Sequence, residues 1–127
     1  MKVKVLVTGP KVHDVGYRYY LLSLAMSHKI RRFEAHNLEG DKEQEIEALV
    51  DGNDDAVRLF IETIKAKHPA LAKVSGVSSD NYSGDVMSIS EFAQFCTTVQ
   101  MSKAIPVLLN ISDDLIASCR SLLIHLL

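Results

Sequence analysis

The sequence predicts an α+β fold, an antiparallel sheet with two helices packed on one face, and three observations carry that reading. Stretches that alternate apolar and polar residues (Lys2–Thr8, Arg31–Leu38, Glu43–Val50) are interleaved with stretches whose apolar residues recur every three or four positions. Only the short Glu39-Gly40-Asp41 turn separates the second and third alternating stretches, so they pair as an antiparallel hairpin. The chain has 127 residues, 47% hydrophobic and 24% charged, which is enough apolar material for one core and not for two.

Lys2–Thr8 places Val3, Val5 and Val7 on one face of a strand, which Gly9-Pro10 ends because proline cannot donate to a ladder. Asp14 is a candidate N-cap for a helix running from about Val15 to His28, with Tyr17, Leu21, Leu24 and Ala25 on its buried stripe. In the second strand Phe33 and Ala35 face the core. Gly40 is expected to supply a positive φ in the hairpin turn. The third strand puts Ile46, Ala48 and Val50 on one face and Glu45, Glu47 and Leu49 on the other. Asn53 or Asp54 caps a second helix, about 55–67, with Val57, Phe60, Ile61 and Ile64 on its buried side, and His68-Pro69 stops it.

Lys73–Ser79 reads as a short fourth strand, Val86–Ala93 as a turn or 3₁₀ segment, and Phe95–Met101, rich in β-branched residues, as a last strand. Ser112-Asp113-Asp114 would cap a final helix whose stripe holds Leu115, Cys119, Leu122 and Leu126. The first six elements, β-α-β-β-α-β, make a ferredoxin-like split βαβ sandwich, here with a C-terminal helical extension. The expected division is a domain over 1–101 and an extension over 102–127, packed on the domain or at a homodimer interface.

The net charge of −2 gives no general drive toward nucleic acid or anionic membranes. Cys96 and Cys119 form neither a CxxC pair nor a metal spacing, and read as free core thiols of a reducing compartment. With no secretory signal, and with the apolar Leu115–Leu127 far short of the ~20 residues that span a bilayer, the expected location is the cytoplasm.

The chemistry concentrates in Gly9-Pro10-Lys11-Val12-His13-Asp14-Val15-Gly16-Tyr17-Arg18. A strand enters a tight loop there and leaves into a helix. Amides of such a loop and the helix N-terminus converge on one spot suited to an anion, and the Arg18 guanidinium can grip two oxygens of a phosphate or carboxylate. The plainer alternative for Arg18 is a surface pair with Asp14 four residues earlier. For Asn37 it is a turn residue preparing the hairpin.

Val15-Gly16-Tyr17-Arg18, then Asn37 at the end of the second strand, then Gly52 after the third, with Phe60, Pro69, Ala72 and Val74 in order, resemble the acylphosphatase family over about residues 3–101. That resemblance implies hydrolysis of acyl phosphates, carboxyl–phosphate mixed anhydrides. Lys11, Val12, His13, Asp14, Val15 and Gly16 would bind the phosphate with Arg18, and Asn37 would orient the attacking water. No metal, cofactor or covalent intermediate is implied, and the ligand would be a small acyl phosphate or inorganic phosphate. Asp14 stands near the family's other small Gly step, and the loop and the Arg18–Asn37 interval are each one residue longer than the family pattern. Those departures keep an alternative open: a catalytically degenerate domain that binds an anion or a protein.

Overall fold

Alternation of valines with polar residues builds the first strand, β1 (Lys2–Gly9), whose Val3, Val5 and Val7 are buried. The structure, a computed structural model, describes residues 1–109, with side chains as far as residue 102. After β1 come α1 (Tyr17–Ser27), β2 (Arg32–Glu39), β3 (Gln44–Asp51), α2 (Asp54–Ala66), β4 (Gly76–Asn81) and α3 (Ile89–Leu109). The strands form one antiparallel sheet in the order β2-β3-β1-β4, the arrangement expected of a ferredoxin-like sandwich.

Alternate residues on one face of β1, β2 and β3 are buried: Val3, Val5 and Val7 of β1, Phe33 and Ala35 of β2, Ile46, Ala48 and Val50 of β3. Leu21, Leu22 and Ala25 of α1 and Val57, Phe60 and Ile64 of α2 complete that core. Phe33 is central to it, edge-on to Phe60 at 6.0 Å and to Phe92 at 5.5 Å between ring centres. Asn53 caps α2 as expected, its Oδ1 accepting from the Asp55 amide at 2.9 Å.

Four local expectations are corrected. The first helix starts two residues later, and its N-cap is Gly16, in the left-handed region at φ 74°, not Asp14. Asp14 is itself left-handed at φ 58° and takes no part in capping. Gly40 does not have a positive φ. Its turn needs glycine for close approach, since a Cβ there would lie 2.5 Å from the Glu43 carbonyl oxygen. The fourth strand begins at Gly76 rather than Lys73, and Lys73 makes an isolated bridge to Lys11 instead.

The largest difference concerns residues 86–101, where the expected 3₁₀ segment and last strand give way to α3. Ser88-Ile89-Ser90-Glu91 is a capping box, and the Ser88 hydroxyl accepts from the Glu91 amide at 3.3 Å. Phe92 and Cys96, both buried, are then spaced four apart. Period-2 alternation of Phe95, Thr97, Val99 and Met101 competes with that pattern in the sequence; the cap decides in favour of the helix. The final helix expected after Asp114 lies outside the described residues.

The chain divides into two compact units, Met1–Ala93 and Gln94–Leu127. Everything that follows lies in the first. Among the described residues no helix is long and apolar enough to cross a membrane.

Candidate anion-binding loop

Gly9 ends β1 where the chain must pass close to another segment. A Cβ at Gly9 would overlap the Lys73 carbonyl, so only glycine allows the residue 73–74 backbone to lie against the end of the strand. Two backbone bonds hold that crossing, Lys73 N–H to the Lys11 carbonyl at 2.7 Å and Lys11 N–H to the Lys73 carbonyl at 3.4 Å. A third runs from Ser75 N–H to the Thr8 carbonyl at 2.7 Å.

The next two residues turn inward. Val12 is buried at 1% exposure and His13 at 7%. Their amides share one acceptor, Oε1 of Gln44, at 3.0 and 2.9 Å. The His13 Nε2–H donates to the Glu45 carbonyl at 2.7 Å. Of the six loop residues expected to bind phosphate, Lys11, Val12 and His13 therefore have their amides committed to internal partners.

Asp14, Val15 and Gly16 differ. Among the described residues, no hydrogen-bond acceptor meets the amides of these three or those of Tyr17 and Arg18 in the first turn of α1. A helix leaves its first N–H groups without intrahelical partners, and residues 14 and 16 before it are both left-handed. The Arg18 side chain is half-buried and makes no ion pair among the described residues, so the alternative Asp14–Arg18 pair is not formed. Asp14 is exposed.

Asn37 is exposed, in β2. Sheet register places it in one row with Ile46 and, beyond that, Val7, two residues before Gly9. By strand alternation it shares a face with Phe33 and Ala35, the helix-covered face. It thus stands at the same end of the sheet as the loop. One intervening strand separates it from β1, about 10 Å between backbones.

The first turn of α1 is tied to the segment that follows α2. The Tyr17 hydroxyl hydrogen-bonds His68 Nδ1 at 3.1 Å, and the Tyr20 hydroxyl donates to the Lys67 carbonyl at 3.1 Å. Burial, with Tyr20 alongside, pushes the Tyr17 phenol up to about 12, and burial also raises that of Tyr20. Both therefore stay neutral across the physiological range. The sequence offered no local signal for Gln44, His68 or Lys73: each acts through sheet register or a chain crossing far from the loop in sequence.

The family profile for acylphosphatase matches residues 3–94. The chain belongs to the acylphosphatase family. A curated acylphosphatase of Geobacillus kaustophilus is 34% identical over 65 residues, which are 51% of this chain and 64% of that protein, so the match spans a little under two thirds of the relative's length. Among solved structures, acylphosphatase from Bacillus subtilis superposes with a TM-score of 0.50 at 21% identity, covering 69% of this chain and 94% of that one. T. kodakarensis HypF superposes with a TM-score of 0.52 at 28% identity, covering 67% of this chain and 11% of the much longer HypF chain. The fold expected from the element order is therefore the acylphosphatase fold, and membership in the family agrees with the resemblance carried by Gly16-Tyr17-Arg18 and Asn37.

Proposed function

We propose that this acylphosphatase-family domain hydrolyses acyl phosphates, binding the phosphoryl group between the amides of residues 14–18 and the Arg18 guanidinium. The observation that carries the proposal is the run of amides without acceptors from Asp14 to Arg18, next to an arginine with no ion pair among the described residues. The N–H groups and the guanidinium stabilise charge spread over the equatorial oxygens as water attacks phosphorus. Asn37 orients that water through its carboxamide. The new O–P bond forms as the P–O bond to the acyl carboxylate breaks, giving a carboxylate and inorganic phosphate, and the water's proton passes to the phosphate or to solvent. No covalent intermediate is required, because a carboxylate is a good leaving group. Lys11, Val12 and His13 belong to the site as its support, and the Lys11 charge adds to the local attraction for an anion.

Hydrolysis of acetyl phosphate by the purified chain tests this. Arg18→Ala and Asn37→Ala are expected to lower kcat/KM by about 10²–10³ each, as loss of one preorganised group typically does. Turnover by the unaltered chain no faster than by Arg18→Ala would sink the catalytic reading.

A second reading, binding without turnover, is favoured by one observation: the exposed carboxylate of Asp14 is carried by a residue whose own amide belongs to the cradle. It expects phosphate binding that Arg18→Ala abolishes and no acyl phosphate hydrolysis by any variant.

A further inference from the structure

We propose that Gln44 is a positioning residue for the anion cradle, an inference that rests on the reading of residues 14–18 as the phosphate site. Gly9 and Gln44 face each other across the β1–β3 ladder, so Gln44 stands beside the point where the chain leaves the sheet. Its Oε1 accepts from the amides of Val12 and His13, 32 and 31 residues away in sequence. Only the oxygen of a carboxamide can face two N–H donors, so its orientation follows from chemistry.

Two adjacent amides on one oxygen fix the backbone direction of Val12–His13 immediately before the first left-handed residue, Asp14. The His13 ring ties the same step to Glu45, the next residue of β3. Three hydrogen bonds thus pin residues 12–13 to the first two residues of β3, while among the described residues the amides of the five residues that follow meet no acceptor. That juxtaposition suits an anion site, because donors stabilise developing charge only if they are held in place before it develops. Glutamine also accepts both bonds without adding negative charge, which glutamate would bring close to a bound phosphate.

The test uses the full chain, inorganic phosphate as the probe, and three variants. Gln44→Asn withdraws the acceptor by one methylene, about 1.5 Å, which takes both bonds beyond hydrogen-bond reach. Gln44→Met keeps the length and removes the acceptor, and serves if the asparagine variant does not fold. Gln44→Glu keeps the acceptor at full reach. Phosphate is titrated while the backbone amide resonances of residues 14–18 are followed, hydrogen exchange is measured at Val12 and His13, and acetyl phosphate hydrolysis gives kcat and KM.

In Gln44→Asn and Gln44→Met, exchange at Val12 and His13 speeds up, phosphate binds about tenfold more weakly and kcat/KM falls about 10²-fold, the order expected of a displacement near 1 Å. Gln44→Glu restores slow exchange at both amides and binds phosphate more tightly than Gln44→Asn. Phosphate affinity and kcat/KM unchanged from wild type in a variant that has lost exchange protection at Val12 and His13 would overturn the positioning role alone. Absence of any phosphate response at residues 14–18 in the wild-type chain would overturn the site and, with it, this role.

Discussion

Asp14 is the residue whose replacement is expected to tell most about the loop. It is exposed, left-handed at φ 58°, and its amide belongs to the run that meets no acceptor among the described residues. A carboxylate about 5 Å from a bound phosphate repels each phosphate charge by about 0.8 kcal/mol at the dielectric constant of water, and by about 3 kcal/mol at an effective value near 20. Exposure places Asp14 toward the lower figure. For a phosphate with nearly two charges the penalty is then about 1.5–2 kcal/mol, or roughly 10–30-fold in Kd.

Asp14→Asn removes the charge and keeps a residue that tolerates the left-handed region. It should tighten phosphate binding by about 10–30-fold at low ionic strength. Salt should shrink that gain, since charges at an exposed site are screened over about 8 Å at 0.15 M. Asp14→Gly should bind phosphate similarly, because it removes the same charge and glycine adopts the left-handed region freely. Phosphate titration by calorimetry at two salt concentrations measures both variants. An Asp14→Asn variant that binds phosphate no more tightly than wild type would show that the carboxylate points away from the anion, and the electrostatic argument would fail.

Two further expectations concern the scaffold. Lys29 follows α1 in the left-handed region at φ 59°, where bonds from Lys29 N–H to the Met26 carbonyl and from Ile30 N–H to the Ala25 carbonyl, both 3.0 Å, close a Schellman turn that ordinarily carries glycine; Lys29→Gly should stabilise the domain by about 0.5–1 kcal/mol, a rise of roughly 2–8 °C in Tm by thermal melting. Tyr17 has a phenol raised in the fold from 10.0 to about 12, so the stability it contributes is complete below pH 10 and is lost as the pH climbs toward 12; Tyr17→Phe should flatten the pH dependence of urea unfolding in that window, and an unchanged profile would place the alkaline loss elsewhere.

Much of the fold was legible because its signals are local. Valines at alternate positions specify β1, an asparagine before two aspartates specifies the start of α2, and the short turn at 39–41 makes β2 and β3 a hairpin. The strand expected at 95–101 failed for an equally local reason: the capping box at Ser88–Glu91, readable in the sequence, outweighs the β-branched composition that follows it. The first turn of α1 failed differently. Asp14 is a good cap by type, but the chain reaches α1 through two left-handed residues and caps it with Gly16, a choice imposed by a loop already held at Lys11–His13.

By itself the sequence determined the family and named the candidates for holding a phosphate, since Gly16-Tyr17-Arg18 and Asn37 lie in an order that strand and helix periods make meaningful. Tertiary structure alone decided which loop amides remain available. Gln44 and Lys73 reach residues 11–13 through sheet register and a chain crossing, and contacts between residues 31 to 62 positions apart leave no periodic trace along the chain. The cradle proposed here therefore shifts from residues 11–16 to the amides of 14–18, because hydrogen bonds formed by folding already occupy the amides of 11–13.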